Sequence, residues 1–250
     1  MLIPLVLSGM RNYNRFSIIH PVPLLAICAL VIATVVFPTF NSQAVRATAN
    51  PDLVKDIFSG STGSEPGNLT VVGSTLFFAA NDDDNQDNWE LWKSDGTAAG
   101  TVLVKDINPG AAGSYPSNLT VVGSTLFFTA NDGSNGKELW QFDTTSVVGA
   151  SNPQMVSDIS TGISSSLPGN LTVVGSTLFF TANDGSNGEE LWQFDTTSVV
   201  GASNPQMVYD IKTSGSSSPG NLTVVGSTLF FTANDGSNGK ELWQFDTTSV

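Results

Sequence analysis

Beyond position 50 the apolar residues fall in short runs with a two-residue period, bounded by Gly, Asn, Asp, Ser and Pro. One unit shows the pattern in full. "LTVV" (119–122) and "TLFFTA" (125–130) flank Gly123-Ser124, a pair that suits a type II′ hairpin turn between antiparallel strands. "KELWQFD" (137–143) follows the turn-rich "NDGSNG", and "QMVSDI" (154–159) follows a loop carrying Gly149 and Pro153. These four runs predict four strands. No 3.6-residue apolar period occurs in this part of the chain, so no helix is expected there. Val121-Val122 and Phe127-Phe128 put apolar groups on both faces of the sheet. Such a sheet has to be covered on both sides.

The unit repeats. Asn-Leu-Thr recurs at Asn68, Asn118, Asn170 and Asn221, at spacings of 50, 52 and 51 residues. The 26 letters from 118 to 143 return unchanged at 221–246, and at 170–195 with one change, Glu189 for Lys. Self-similarity at this period marks a repeat architecture. Four antiparallel strands per unit, covered on both faces by neighbouring copies, describe a β-propeller blade. The expected fold is therefore all-β: a propeller-like array of four four-stranded antiparallel blades over 58–107, 108–159, 160–211 and 212–250. The last copy stops after its third strand, at "QFDTTSV". The segment 50–57, "NPDLVKDI", matches the fourth-strand sequence "NPQMVSDI" of 152–159. It is expected to act as the closing strand of a four-bladed ring, which would remove an exposed sheet edge. The rival expectation is a piece of a longer array.

Residues 1–49 differ in kind. They hold all three arginines, the one His (His20) and the one Cys (Cys28), and no Asp or Glu. Arg11 and Arg15 precede the uncharged run 21–40, and "NSQAVRATA" follows it with small residues at Ser42, Ala44, Ala47 and Ala49. This order predicts a hydrophobic N-terminal helix serving as a cleaved signal peptide, or else as a retained membrane anchor. Either one exports the rest of the chain. "MRNYNR" from Met10 makes a more ordinary start than "MLIPLVLSG". Cys28 reads as an ordinary residue of the apolar run, because Ile27 stands where lipidation needs a small residue.

Charge and composition narrow the chemistry. From position 50 onward six lysines face 22 acidic residues, a balance of −16 that the three arginines bring to −13 for the chain. Such a surface repels nucleic acid and anionic lipid, so no nucleic-acid partner is expected, and a membrane is met only through the N-terminal segment. Without Cys or His the repeats can build neither a thiolate zinc site nor a Ser-His-Asp triad. Carboxylate, Lys, Tyr and hydroxyl chemistry remain.

Within the first unit, "ELWKSDGTAAGTVLVKDI" (90–107) resembles the signature of the bacterial ELWxxDGT repeat proteins, some of them called hyalin-like, on Glu90-Leu91-Trp92-Lys93-Ser94-Asp95-Gly96-Thr97. The "VVGSTLFFTANDGSNGKELW" unit fits the same pattern, so the resemblance spans essentially all of 50–250. It implies an exported, propeller-like protein and supplies no catalytic residues. Three copies depart from it. They read "ELWQFDTT" and lose the Gly, so no shared role is expected of the Asp-Gly-Thr turn.

Four sets of residues are candidates for function. The "NDGSNG" loops, with Asp82, Asp84 and Asp87 of the first copy as the densest cluster, are either plain turns or weak Ca²⁺ sites. Trp92, Trp140, Trp192 and Trp243 recur once per copy and are expected between blades, whereas Trp89 is the candidate exposed aromatic. Glu90, Glu138, Glu190 and Glu241 could serve as a glycosidase acid or base. Because they recur equally in every copy, they are expected instead to face solvent or a neighbouring Lys. Asn-Leu-Thr fits a glycosylation pattern and also simply opens a strand. Glu189 is expected to tune a surface without disturbing the core.

No catalytic, cofactor or metal residue is assigned, so a non-enzyme is expected. Three function classes follow. The first is an exported structural or adhesive module acting through repeated equivalent sites, with surface glycans or other cell-surface proteins as partners and a secreted, cell-surface or periplasmic location. The second is a Ca²⁺-dependent carbohydrate-binding propeller. The third is a carboxylate-based glycoside hydrolase on the same fold. Near-identical repeats favour the first, because several equivalent contacts on one rigid body gain from multivalency.

Overall fold

The structure is a computed structural model that describes residues 50–83, 87–110, 112–145, 152–198 and 205–249. The N-terminal helix, the signal-or-anchor assignment and Asp84 therefore lie outside the described residues. Among those described, no helix is long and apolar enough to cross a membrane.

Fifteen strands form, in chain order: β1 (Gly67–Val72), β2 (Thr75–Asn81), β3 (Trp89–Ser94), β4 (Val102–Lys105), β5 (Ser117–Val122), β6 (Thr125–Asn131), β7 (Lys137–Asp143), β8 (Gln154–Ser157), β9 (Gly169–Val174), β10 (Thr177–Asn183), β11 (Glu189–Asp195), β12 (Gln206–Tyr209), β13 (Gly220–Val225), β14 (Thr228–Asn234) and β15 (Lys240–Asp246). A 3-10 turn, Thr247–Ser249, follows. Each sheet is an antiparallel meander of consecutive strands. Three have four strands, and the last, β13-β14-β15, has three. The four strands read from the hydropathy pattern are thus present in the first three units.

The hairpin turns have the backbone expected of them. Gly123 has φ +58°, and Ser124 is not among the positive-φ residues. That is the type II′ combination. A second irregularity lies inside each first strand. Asn68, Asn118, Asn170 and Asn221 sit at φ +53° to +56°, and the register of β1, β5 and β13 slips between the residue before the Asn and the Thr two places after it. Asn tolerates this left-handed backbone better than other non-glycine residues. The conserved-looking triplet is a bulge device.

The sheets stack face to face through the alternation noted above. Leu126, Phe128 and Ala130 of β6, with Trp140 and Phe142 of β7, pack on Phe77, Leu91, Val104 and Ile107 of the preceding sheet. Phe127 and Leu139, on the opposite face, pack on Leu178, Phe180 and Phe194 of the next. The third interface repeats the scheme with Phe179 and Leu191 against Leu229 and Phe231. One aromatic pair recurs at each junction: Phe77–Phe142 at 5.5 Å, Phe127–Phe194 at 5.7 Å and Phe179–Phe245 at 5.8 Å between ring centroids. Each buried Phe is worth about 1.5–3 kcal/mol of transfer free energy, so the blades hold together mainly by these faces. The first strands of successive sheets lie side by side, β1 by β5, β5 by β9 and β9 by β13, and form a common inner edge. This is a propeller-like stacking of blades.

The expected ring closure is not seen. Residues 50–57 form no strand and do not pair with β15. They lie instead on the first blade: Ile57 packs with Phe78, Ala80 and Trp92, and Lys55 Nζ donates to the Thr101 carbonyl at 2.7 Å. The apolar outer face of β2 and β3 is the nearer partner for Ile57, and among the described residues no preceding sheet covers it.

Candidate functional site

Three of the four recurring glutamates do not face solvent. Glu90, Glu138 and Glu190 are buried to 1%, 0% and 0% exposure. Glu138 accepts hydrogen bonds from Ser166 N–H (2.8 Å), Ser166 Oγ–H (2.5 Å) and Ile159 N–H (3.1 Å). Glu190 accepts the same three from Ser217 (2.8 and 2.5 Å) and Ile211 (3.2 Å). Glu90 accepts from Ser114 N–H and Oγ–H, Ile107 N–H and Asn108 N–H. Each carboxylate therefore ties down the connector that leads from its own blade to the next. Burial pushes all three carboxyls above the ordinary glutamate range, and the donors only partly offset it. The nearby charges of Asp158 and Asp210 raise Glu138 and Glu190 further. Glu241, at the same place in the last blade, is exposed.

The "NDGSNG" loops are self-satisfied turns. Asp132 Oδ1 accepts from Ser134 N–H and Asn135 N–H, and its Oδ2 accepts from Asn135 Nδ2. Asp184 and Asp235 do the same. Partial burial pushes Asp132 and Asp184 up, but these donors outweigh it and hold both carboxyls below the usual range. In the first copy, Asp82 Oδ1 accepts from Asn88 Nδ2 at 2.8 Å, and Asp87 accepts the Tyr115 hydroxyl. These carboxylates thus bond within their own loops, except Asp87, which bonds Tyr115 of the connector. Among the described residues no three acidic, His or Cys side chains gather into a cation site.

These loops also touch the connectors. A side chain at Gly136 would collide with the Ser164 carbonyl, and one at Gly188 would meet Ser216 N at 2.5 Å. Both glycines also have positive φ, so the close approach and the backbone each require glycine.

The Asp-x-Thr turn survives the loss of its Gly. Asp95 Oδ1 accepts from Thr97 Oγ–H and N–H, and Asp143, Asp195 and Asp246 accept in the same way from Thr145, Thr197 and Thr248. The turn has a shared local role after all, because the bond needs only the Asp and the Thr.

Trp140, Trp192 and Trp243 lie between blades as expected, whereas Trp92 packs on the outer face of the first blade beside Ile57. Trp92 and Trp140 are buried, and Trp192 and Trp243 are half-buried. The indole N–H groups of Trp140, Trp192 and Trp243 donate to Ala130, Ala182 and Ala233 carbonyls at 3.0–3.1 Å. Lys105 of the preceding blade lies over the Trp140 ring, 6.0 Å from its centroid. Trp89, expected outside, is half-buried within β3, and its carbonyl accepts from Tyr115 N–H. Glu189 is likewise half-buried, with its N–H donating to Ser216 Oγ.

Two surfaces could meet a ligand. At the inner edge, Asn118, Thr120, Asn170, Thr172 and Asn221 line a polar recess of about 410 Å³. Asn68 and Asn118 each donate Nδ2–H to a proline carbonyl of the next repeat, Pro116 and Pro168, at 3.1 Å. Next to this edge run the connectors. They are where the near-identical copies differ: "FSGSTGSEP", "NPGAAGSYP", "STGISSSLP" and "KTSGSSSP". The residue before each proline, Glu65, Tyr115, Leu167 or Ser218, is held at φ +46° to +51°. Before proline this conformation is disfavoured and costs about 1–3 kcal/mol. It persists because Tyr115, Leu167 and Ser218 N–H groups donate to Trp89, Lys137 and Glu189 carbonyls of the blade before. Tyr115, Ile163 and Leu167 stand exposed on this rim. Strand patterning missed these residues. The available signals were the variation among copies and a Ser four places before every Asn-Leu-Thr.

No family model matches the chain. No curated protein matches it either. Solved structures resemble it in part. A puromycin hydrolase S511A mutant complexed with PGG is 14% identical over 72% of this chain and 27% of its own, with a TM-score of 0.49. A prolyl endopeptidase is 12% identical over 72% and 28%, with a TM-score of 0.45. TolB from Acinetobacter baumannii is 12% identical over 70% and 39%, with a TM-score of 0.38. The chain spans well under half the length of each of these three. Identities this low carry no activity across, and fold alone does not specify chemistry.

Proposed function

We propose that this is an exported, non-catalytic repeat protein that presents a ligand-binding or adhesive rim on a rigid stack of blades, in keeping with its resemblance to the ELWxxDGT repeat proteins. One observation carries the reading. Three of the four glutamates that could have served as acid and base, Glu90, Glu138 and Glu190, are directed at a Ser and at backbone N–H groups of a connector. Variation among the copies is left to the connectors they hold. A constant frame with variable, exposed Tyr115, Ile163 and Leu167 beside a polar Asn and Thr recess suits a partner with both apolar faces and hydroxyl groups. Surface glycans have that character, since sugar rings stack on aromatic side chains and hydrogen-bond to amides. They are preferred here to cell-surface proteins as the partner.

A glycan array probed with the chain tests this, alongside a fluorogenic glycoside panel. Binding that falls when Tyr115→Ser and Leu167→Ser are introduced, without turnover, supports the reading. Turnover of any glycoside, or glycan binding that these changes leave intact, overturns it.

A further inference from the structure

Residues 117–143 and 169–195 are copies that differ at two positions only, Ser117 against Gly169 and Lys137 against Glu189. The two positions lie 20 residues apart in the chain, and the fold brings them together. Ser117 opens β5 opposite Thr129 of β6, and Lys137 opens β7 opposite Asn131 of β6. Lys137 Nζ donates to Ser117 Oγ at 3.3 Å, and Ser117 Oγ lies 2.8 Å from Thr129 Oγ1. No other copy has all three groups. At these places the first has Ala79 and Trp89, the third has Gly169 and Glu189, and the fourth has Gly220.

The ammonium of Lys137 is poorly compensated. The residue is half-buried, and Thr129 beneath the pair is fully buried. Burial holds Lys137 below the ordinary lysine range, and among the described residues no carboxylate offsets that. Lys55 and Lys105, by contrast, donate to carbonyl oxygens and lie over Trp rings. An ammonium has three N–H donors, and in Lys137 one of them meets a neutral hydroxyl. The pair also has a place on the binding surface. Ser117 adjoins Asn118 of the polar recess, and the Lys137 carbonyl accepts Leu167 N–H of the rim at 3.2 Å. Recess and rim meet here.

We propose that Lys137 and Ser117 form a carboxylate subsite, which selects glycans carrying an isolated uronate. The inference rests on the glycan reading above and names the sugar class within it. With Thr129 Oγ1 donating to Ser117 Oγ, the Ser117 hydroxyl proton turns to the ligand. That proton and a Lys137 N–H then engage the two oxygens of one carboxylate. The bound anion supplies the counter-charge that offsets the desolvation of the ammonium. Net charge limits the class. At −13 the chain repels a dense polyanion, but screening over about 8 Å at physiological salt leaves a single carboxylate to sense chiefly its immediate neighbours. Glu189 reverses the charge at the same place in the next blade, so the third blade rejects what the second binds.

Calorimetric titration of the full chain in mild detergent tests this with two probes, a tetrasaccharide ending in glucuronate and the methyl ester of the same tetrasaccharide. The acid is expected to bind about tenfold more tightly than the uncharged ester, as a charge-assisted pair allows. Lys137→Gln should abolish that preference and leave affinity for the ester unchanged, whereas Lys137→Arg should keep most of it. Gly169→Ser combined with Glu189→Lys should build a second subsite and double the amount of acid bound. That gain is read without any change at Lys137. Equal affinity for acid and ester, or a preference that Lys137→Gln leaves intact, overturns the inference and leaves the glycan reading standing. A double variant that binds no more acid than the parent chain overturns it equally. Failure to bind either probe overturns it as well, and the glycan array then decides whether the wider reading falls with it.

Discussion

Replacing Glu138 by Gln isolates the carboxylate clamp with the least change in shape. Glu138 is fully buried and accepts three hydrogen bonds, one through Oε1 and two through Oε2. A Gln keeps one carbonyl oxygen. Its NH₂ group must then face either Ser166 N–H or the pair formed by Ile159 N–H and Ser166 Oγ. The hydroxyl can rotate to accept, but the backbone N–H cannot, so at least one buried donor is orphaned. Losing a charged acceptor and stranding that donor costs about 2–3 kcal/mol. Glu138→Ala strands all three donors and leaves a void, for about 3–5 kcal/mol. Glu241→Gln, the same substitution at the exposed equivalent, should stay within about 0.5 kcal/mol. The assay is urea unfolding followed by tryptophan fluorescence, at a concentration where the chain is monomeric. Hydrogen exchange at the Ile159 and Ser166 amides should accelerate in Glu138→Gln and stay unchanged in Glu241→Gln. Equal midpoint shifts for the two Gln variants would refute the clamp.

The acidic side chains predict a stability optimum at mildly acid pH. Glu90, Glu138 and Glu190 have carboxyls raised from 4.5, so their contribution is complete below 4.5 and is lost as pH rises through the raised values. Asp132, Asp184 and Asp195 are lowered from 3.8, so theirs is complete above 3.8 and is lost as pH falls further. Melting temperature should therefore peak near the gap between these two ordinary values; a monotonic rise toward neutral pH would contradict the buried glutamates. Gly188→Ala and Gly239→Ala both add strain at positive φ, about 1 kcal/mol each, but only the former meets the Ser216 backbone, so its melting temperature should fall several degrees further. Tyr115→Ser and Leu167→Ser sit on the exposed rim and should leave the melting temperature unmoved while reducing any surface binding. EDTA should leave the melting temperature unchanged, since Asp132, Asp184 and Asp235 are already held by their own loops.

Much of the blade is legible in the one-dimensional pattern, and the reason is local. Phe127 and Phe128 must point to opposite faces of any strand, so their adjacency alone requires cover on both sides, which is what Leu178 of the next sheet and Leu91 of the preceding one, with their neighbours, provide. Gly123-Ser124 fixes its own turn within four residues. Glu138 was the misleading residue. A carboxylate in an apolar strand reads as solvent-facing because its compensation is invisible in sequence: the donors are a Ser and two backbone N–H groups 21–28 residues away. Trp89 misled for a similar reason, since acidic neighbours suggested exposure while its strand places it half inside.

The segment 50–57 marks where sequence and tertiary structure divide. Its match to a fourth strand follows from its letters, as do the period, the hairpins, the blade register and the acidic charge, because all of these depend on contacts within a few residues or on simple counting. Which sheet it lies against does not follow, since "LVKDI" would suit any outer edge equally well. Only packing decides that, by setting Lys55 over Trp92 and Ile57 on Phe78, and by leaving Glu241 and Leu242 uncovered at the other end. Local patterning specifies which surfaces need a partner. The partner itself is chosen by long-range geometry, through the cost of a buried charge or an unpaired strand edge.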